Sequence, residues 1–214
     1  MLARYATRFD AVEVNSSFYR PHLSKTYARW AASVPDDFRF AVKLPKAITH
    51  EARLVGGDAL LAAFAAQTGW LGEKRGPILV QLPPSLAFDA SVAATFFDTC
   101  RRHLGEAPIA CEPRHAGWFA DAADALLVAH RVARVAADPA PVPAAATAGG
   151  WRGLRYVRLH GSPHIYRSSY DDAAIDREVM AARAASDSWT IFDNTASGAA
   201  TANALTMLAR VTAS

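Results

Sequence analysis

In residues 154–170, LRYVRLHGSPHIYRSSY, a guanidinium and an imidazole stand two positions apart. Val157 and Leu159 alternate with Tyr156, Arg158 and His160, the period of a strand, so Arg158 and His160 share one face. Gly161, Ser162 and Pro163 end the strand at once. A guanidinium at a strand's carboxyl end can hold a carboxylate or a phosphate with two parallel hydrogen bonds. An imidazole beside it can take or give a proton near neutral pH. Tyr166 and Tyr170 in the following loop can cover a ligand. Buried and unpaired, Arg158 and His160 would be costly, so other parts of the chain must answer them.

Polar residues recur at the ends of the other apolar runs. Glu13 and Asn15, Lys43, Gln81, Glu112, Asp138, and Asp193 with Asn194 each stand just before a loop. The loops add Tyr19, His50, Arg114, His115, Trp118 and Thr195. As an enzyme, the chain would bind a small anionic or polyhydroxylated metabolite through Arg158 and Lys43, assisted by Arg114. Glu112 or Glu13 would act as general base and His160 as acid or base. Asn15, Tyr19, His50, Gln81, His115, Trp118, Asp138, Tyr166, Tyr170 and Asn194 would line the ligand. Hydrolysis, isomerisation and lyase chemistry all fit these parts.

Plainer roles exist for the same residues. Glu13 with Lys43, and Glu112 or Asp138 with Arg158, can be ion pairs. Asn15 and Asn194 can cap loops. Trp118 and Trp151 can cover apolar surface, and Cys111, facing away from Glu112, reads as core. Glu13, Glu112, Asp138 and His160 are also divalent-metal ligand types. Lys43 and Arg158 would repel such an ion, and HxH and HExxH spacings are absent. No metal and no cofactor are therefore assigned. A non-catalytic ligand- or nucleic-acid-binding module is the third reading.

The elements that must position these groups alternate. Strands are expected at 11–15, 38–45, 77–84, 108–113, 133–139, 154–160 and 189–194. Between them lie helices at 24–33, capped by Ser24, at 58–68 with Leu60, Leu61 and Phe64 inward, and at 89–103 with Val92, Phe96 and Phe97 inward. Further helices follow at 121–130 and 171–185, and a last one opens at Ser197 with Ala200, Leu205 and Leu208 inward. Residues 139–150, PAPVPAAATAGG preceded by Asp138, show no helical pattern. Strand–helix alternation implies a parallel sheet covered by helices. Seven such strands suit a TIM-type β/α barrel, whose carboxyl-end rim gathers the polar tips.

The 214 residues, 51% hydrophobic and 20% charged, suit one domain with a sizeable core. A net charge of +3 without a Lys/Arg run gives no reason to expect nucleic acid as partner. Cys100 and Cys111 form no disulfide framework, so a reduced, cytoplasmic setting is expected. No membrane span is expected, since no stretch approaches about 18 uninterrupted apolar residues.

The segments FDAVEVNSSFYR, FRFAVKLPKAITH, ILVQLPPS, CEPRHAGWF, VAADPAP, YVRLHGSPHIY with SSYDD, and FDNTASGAATANA resemble the domain-of-unknown-function-72, or YecE-like, family. The resemblance runs in order over residues 2–208. It implies a TIM-type barrel and leaves the activity unassigned. Its motif positions fall on Glu13, Asn15, Tyr19, Lys43, His50, Gln81, Glu112, Arg114, His115, Trp118, Asp138, Arg158, His160, Gly161, Tyr166, Tyr170 and Asn194. Members usually begin with a GTSGW-type strand and loop, ahead of the helix end expected at residues 2–8 of this chain. The expectation is thus a barrel shortened at its start, with seven of eight strands.

Overall fold

The structure, a computed structural model, describes residues 1–213. Its internal contacts cluster into two compact units, Met1–Pro113 and Arg114–Ser214.

In the first unit the strands are β1 (Ala11–Val14), β2 (Arg39–Lys43), β3 (Arg75–Gln81) and β4 (Ile109–Glu112). They pair in that order, all parallel. The helices are α1 (Leu2–Tyr5), α2 (Ser24–Ala32), α3 (Asp58–Thr68) and α4 (Ala90–Leu104). Register divides the sheet into two faces. Val12 is level with Phe40, Val42 with Ile78, Ile78 with Ile109, and Val80 with Cys111. This is the apolar face, and Phe40, Val42, Ile78 and Ile109 are fully buried. The other face carries Glu13, Lys43, Gln81 and Glu112, as period two requires. Cys111 thus lies on the face opposite Glu112, and Cys100 and Cys111 are buried thiols not joined to each other.

In the second unit α5 (Asp121–Ala129) precedes β5 (Val132–Arg134) and β6 (Ala136–Asp138). The single strand expected at 133–139 is thus broken at Val135. After β6 come the two-residue β7 (Gly149–Gly150), β8 (Arg155–Leu159), α6 (Asp172–Arg183), β9 (Ser188–Phe192) and α7 (Ala199–Thr212). β6, β8 and β9 pair in parallel, and β7 runs antiparallel to β5. Ala136, Val157 and Leu159 form one apolar cluster with Tyr170 and Phe192. Ile175, Val179 and Met207 of α6 and α7 form another, which Tyr170 and Phe192 also join.

The mixed α/β architecture with mostly parallel strands is as expected. A closed barrel is not seen among the described residues, where the strands fall into two separate sheets. Several local expectations give way to packing. Leu60 and Leu205, expected inward, are exposed, and Met207 takes the buried position on α7. Ser24 is the first residue of α2 and makes no capping bond, and Ser197 precedes α7, whose N-cap is Gly198. By contrast Asp89 caps α4 by accepting from the Ser91 and Val92 backbone N–H groups, and Asp171 caps α6 through Ala174 N–H. The 139–150 connection contains a short 3-10 turn, Pro143–Ala146, and the β7 strand. Among the described residues no helix is long and apolar enough to cross a membrane.

Candidate functional site

Each unit gathers a polar cluster at the carboxyl ends of its parallel strands. In the first, the register climbs as it crosses the sheet. Glu13 is level with Ala41, Lys43 with Leu79, and Gln81 with Glu112. Three successive strands therefore present Lys43, Gln81 and Glu112 as neighbours on one face. Lys43 Nζ donates to Gln81 Oε1 at 2.7 Å. Gln81 Nε2 donates to both Glu112 oxygens, at 2.9 and 3.0 Å. An ammonium only donates and a carboxylate only accepts, so this geometry fits one orientation of the amide. All three are buried, Glu112 to 2% exposure, which makes the bridge a requirement of the fold as well as a chemical feature.

Loop residues close round the lysine. The turn Ser16–Phe18 is tied by Ser17 Oγ, which donates to the Val14 and Lys43 carbonyls. That places the Phe18 ring 4.1 Å from Lys43 Nζ, a cation–π contact. His50, in the wide helical turn Ala47–Glu51, packs edge-on against Phe18 and has Nδ1 2.8 Å from Thr49 Oγ1. Asn15 Nδ2 donates to Glu13 Oε1 at 2.8 Å. Tyr19 packs edge-on against Phe18 and is 74% exposed, so it stands outward.

In the second unit Arg158 is level with Ile191, and His160 and Asp193 continue the same face two residues on. Asp193 Oδ2 accepts from Arg158 Nη2 at 3.2 Å and lies 3.0 Å from His160 Nδ1. His160 Nε2 lies 3.4 Å from Arg158 Nη1. Arg158 is 2% exposed and His160 3%. The Tyr166 ring stands edge-on to His160 at 6.0 Å.

Asp138 belongs to the opposite side of that sheet. It is level with Leu159, which is level with Phe192, the side of the apolar cluster. Its carboxylate accepts from Tyr170 Oη at 2.6 Å, and Tyr170 Oη in turn accepts from Gly161 N–H at 2.8 Å. Burial first, and then the bond to Asp138, push the Tyr170 phenol well above its ordinary range. Asn203 of α7 holds the same loop: its Oδ1 accepts from Tyr170 N–H and from Asn194 Nδ2, and its Nδ2 donates to Tyr170 O. Asn194, expected to line a ligand, is fully buried and ties β9 to Ser168 O and Asn203.

The structure thus brings Lys43, Gln81 and Glu112 together in one unit, and Arg158 with His160 in the other. Asp138 and Tyr170 pair with each other. Trp118, expected to cover a ligand, is 1% exposed, and His115 Nδ1 accepts from Gly117 N–H inside its own turn. Arg114 is half-buried just after β4. Three contributors were not among the expected site residues. Asp193 was legible only as a polar tip, Phe18 as one more loop aromatic, and Asn203 as a poor helix former in mid-helix. Among the described residues no group of three or more His, Cys, Asp or Glu is gathered so as to hold a metal ion.

A family described as "Protein of unknown function DUF72" matches residues 1–214. The UPF0759 protein YecE of Escherichia coli K12 is 32% identical over 120 residues, 56% of this chain and 43% of that protein. The UPF0759 protein YunF of Bacillus subtilis is 29% identical over 125 residues, 55% of this chain and 44% of that protein. The matched stretch spans less than half the length of either relative. A crystal structure of a DUF72 family protein from Enterococcus faecalis superposes with TM-score 0.84 at 21% identity, covering 100% of this chain and 89% of that one. One from Thermotoga maritima gives 0.77 at 22% identity, covering 95% and 85%. At such identities the structural likeness speaks for the fold.

Proposed function

This chain belongs to the DUF72 family of proteins of unknown function, and we propose that it is an enzyme binding a small anionic or polyhydroxylated metabolite at its strand ends, with acid–base chemistry by Glu and His. The observation that carries this reading is the buried Arg158 guanidinium beside the buried His160 imidazole. A guanidinium recognises carboxylate or phosphate, and an imidazole next to that anion can move a proton within the same ligand. Lys43 and Glu112, bridged by Gln81, are a second set of the same chemical kind, a cation and a carboxylate held in fixed relation. Hydrolysis, isomerisation and elimination remain the reaction types such groups serve.

A thermal-shift screen of phosphorylated and carboxylated sugars and hydroxy acids tests the reading. A ligand present at about 100 times its Kd adds about 2.7 kcal/mol to the folded state and raises the midpoint visibly. The hits are expected to carry an anionic group, and Arg158→Lys is expected to weaken them at least tenfold in calorimetric titration. A panel without a single hit, or hits whose affinity survives in a folded Arg158→Ala variant, would overturn it.

A further inference from the structure

The two groups that carry the proposed chemistry are shut in: Arg158 is 2% exposed and His160 3%. An anion held by a guanidinium sits about 2.8 Å from its nitrogens, so this conformation is closed and part of the wall must move for entry. Within the second unit the loop that leaves β8 at His160 has the build for it. Tyr166 turns back over the strand end: its N–H donates to His160 O and its ring stands edge-on to the imidazole at 6.0 Å. The outer side of the loop is open to water, with residues 162–167 all exposed. Tyr166 has φ 65°, the left-handed region, which is strained for a bulky aromatic residue. Its C=O accepts from Ala196 N–H at 3.0 Å, which helps to hold it there. Beyond it the chain is tied down, since Ser197 Oγ donates to Arg167 O at 2.6 Å and Asn194 Nδ2 to Ser168 O at 2.9 Å. At the loop's other end Gly161 has φ 97°. A Cβ there would stand 3.1 Å from Ser168 O and 3.2 Å from Asn194 Cβ and His164 O, so glycine lets the loop fold back this tightly.

We propose that residues 162–166 are the lid of the Arg158–His160 site, hinged at Gly161 and Tyr166. The lid swings out to admit the anionic substrate and closes over it with Tyr166 against His160. This rests on the reading that Arg158 receives the substrate's anion. The hinges follow from the two positive φ values, one at each end of the exposed segment. Opening breaks the Tyr166 bonds to His160 O and Ala196 N–H, and in return lets Tyr166 relax to negative φ. The closed form has the bonds and the strain; the open form has neither. A small balance between two such arrangements is what a lid requires, and a bound ligand that favours closure tips it. The anchors at Arg167 and Ser168 stay fixed in both, so the motion ends at Tyr166. Closure lays an aromatic edge on the imidazole and keeps water from a proton in transfer.

The test is carbethoxylation of the full chain's 7 histidines by diethyl pyrocarbonate, read by peptide mass spectrometry. In the ligand-free protein His160 should react far more slowly than His164, which lies exposed on the lid. Tyr166→Val resists the left-handed region, and Gly161→Ala crowds the closed loop. Each should speed His160 roughly tenfold or more and leave His103, in the first unit, unchanged. Inorganic phosphate, titrated to saturation by thermal shift, should slow hydrogen exchange of the Tyr166 and Ala196 amides roughly tenfold or more. A wild-type His160 as reactive as His164 overturns the lid, and so do folded variants in which His160 stays slow. Phosphate that binds and leaves those two amides unchanged overturns the lid and spares the anion reading, and this measurement needs no variant to fold. A slow His160 that both variants release, in a protein that tens of millimolar phosphate does not stabilise, upholds the lid and removes the anion reading.

Discussion

Two buried charge systems sit at strand ends in this chain, and they are built differently. In the first unit opposite charges are kept apart by a neutral spacer, Lys43–Gln81–Glu112, one residue from each of three adjacent strands. In the second, Arg158 and His160 both contact one carboxylate oxygen of Asp193 directly, across the ends of two neighbouring strands. The spacer version depends on register, because the residues meet only if Gln81 is level with Glu112. The direct version depends on period two, because Arg158 and His160 come from one strand. A spaced pair has a fixed geometry that resists change. A shared oxygen is a contested acceptor, where moving one donor changes the other.

The largest expected effect separates the two systems by what is stranded. Asp193→Ala removes a carboxylate that accepts from the Arg158 guanidinium, which is buried to 2% exposure, and should cost about 3–5 kcal/mol in urea denaturation. Arg158→Met should cost clearly less, since Asp193 keeps 22% side-chain exposure and can turn to water. Equal losses would mean that the second cluster is not organised round the guanidinium. In the first unit, Gln81→Leu removes the spacer from both charges and should cost about 2–3 kcal/mol by the same measurement. A loss below 1 kcal/mol there would show Lys43 and Glu112 able to satisfy each other directly, and the contrast between spaced and direct pairing would fall.

How much of this was legible depends on what a single strand reveals. The alternation in residues 11–15 and 38–43 puts Glu13 and Lys43 opposite Val12, Phe40 and Val42, and the sheet has those faces. The carboxyl-end position of Lys43, Gln81, Glu112, Arg158 and His160 was likewise readable, because each stands where apolar alternation stops. Pairing between strands was not. Asp138 looked like a candidate for Arg158, yet it lies on the other side of its sheet and is bound by Tyr170. Nothing in ARVAADP announces the break at Val135 between β5 and β6. Asn203 sits 9 residues after Asn194, and their bond needs the turn into α7 to be known first. Leu60 and Leu205 misled because helical spacing says which residues share a stripe and not which stripe the neighbouring elements will cover.

Two tyrosines sharpen the comparison at smaller amplitude. Burial pushes Tyr27, in the first unit, up to about 12. Tyr170, in the second, is pushed up by burial and by its bond to Asp138. In both cases the folded state favours the neutral phenol. Their contribution is therefore fully present below the unfolded value near 10.0 and declines as pH rises beyond it, for Tyr27 until about 12. Tyr170→Phe should cost about 1–2 kcal/mol at neutral pH, where it loses the bonds to Asp138 and Gly161. Tyr27→Phe should cost less there, since burial alone raises its phenol. Both variants should flatten the alkaline fall in stability between pH 9 and 11, measured as thermal midpoints. A Tyr170→Phe variant as stable as wild type at pH 7 would remove the loop-holding role given to that hydroxyl.

The smallest effect asks whether the units differ away from their strand ends. Gly105 closes α4 at φ 61°, ψ −133°, and Gly198 caps α7 at φ 78°, ψ 3°. Neither would meet another atom within 4 Å if a Cβ were added, so only backbone strain is at stake. Alanine at either position should cost about 1 kcal/mol. Gly198 lies in the left-handed helical region, which asparagine tolerates, so Gly198→Asn should recover most of the loss. Gly105 lies outside that region, in a conformation open essentially to glycine, so Gly105→Asn should recover little. Denaturation midpoints of the four variants decide it. Rescue at both positions, or at neither, would mean that the two turns are equivalent in solution, and that the contrast between the units resides wholly in their charges.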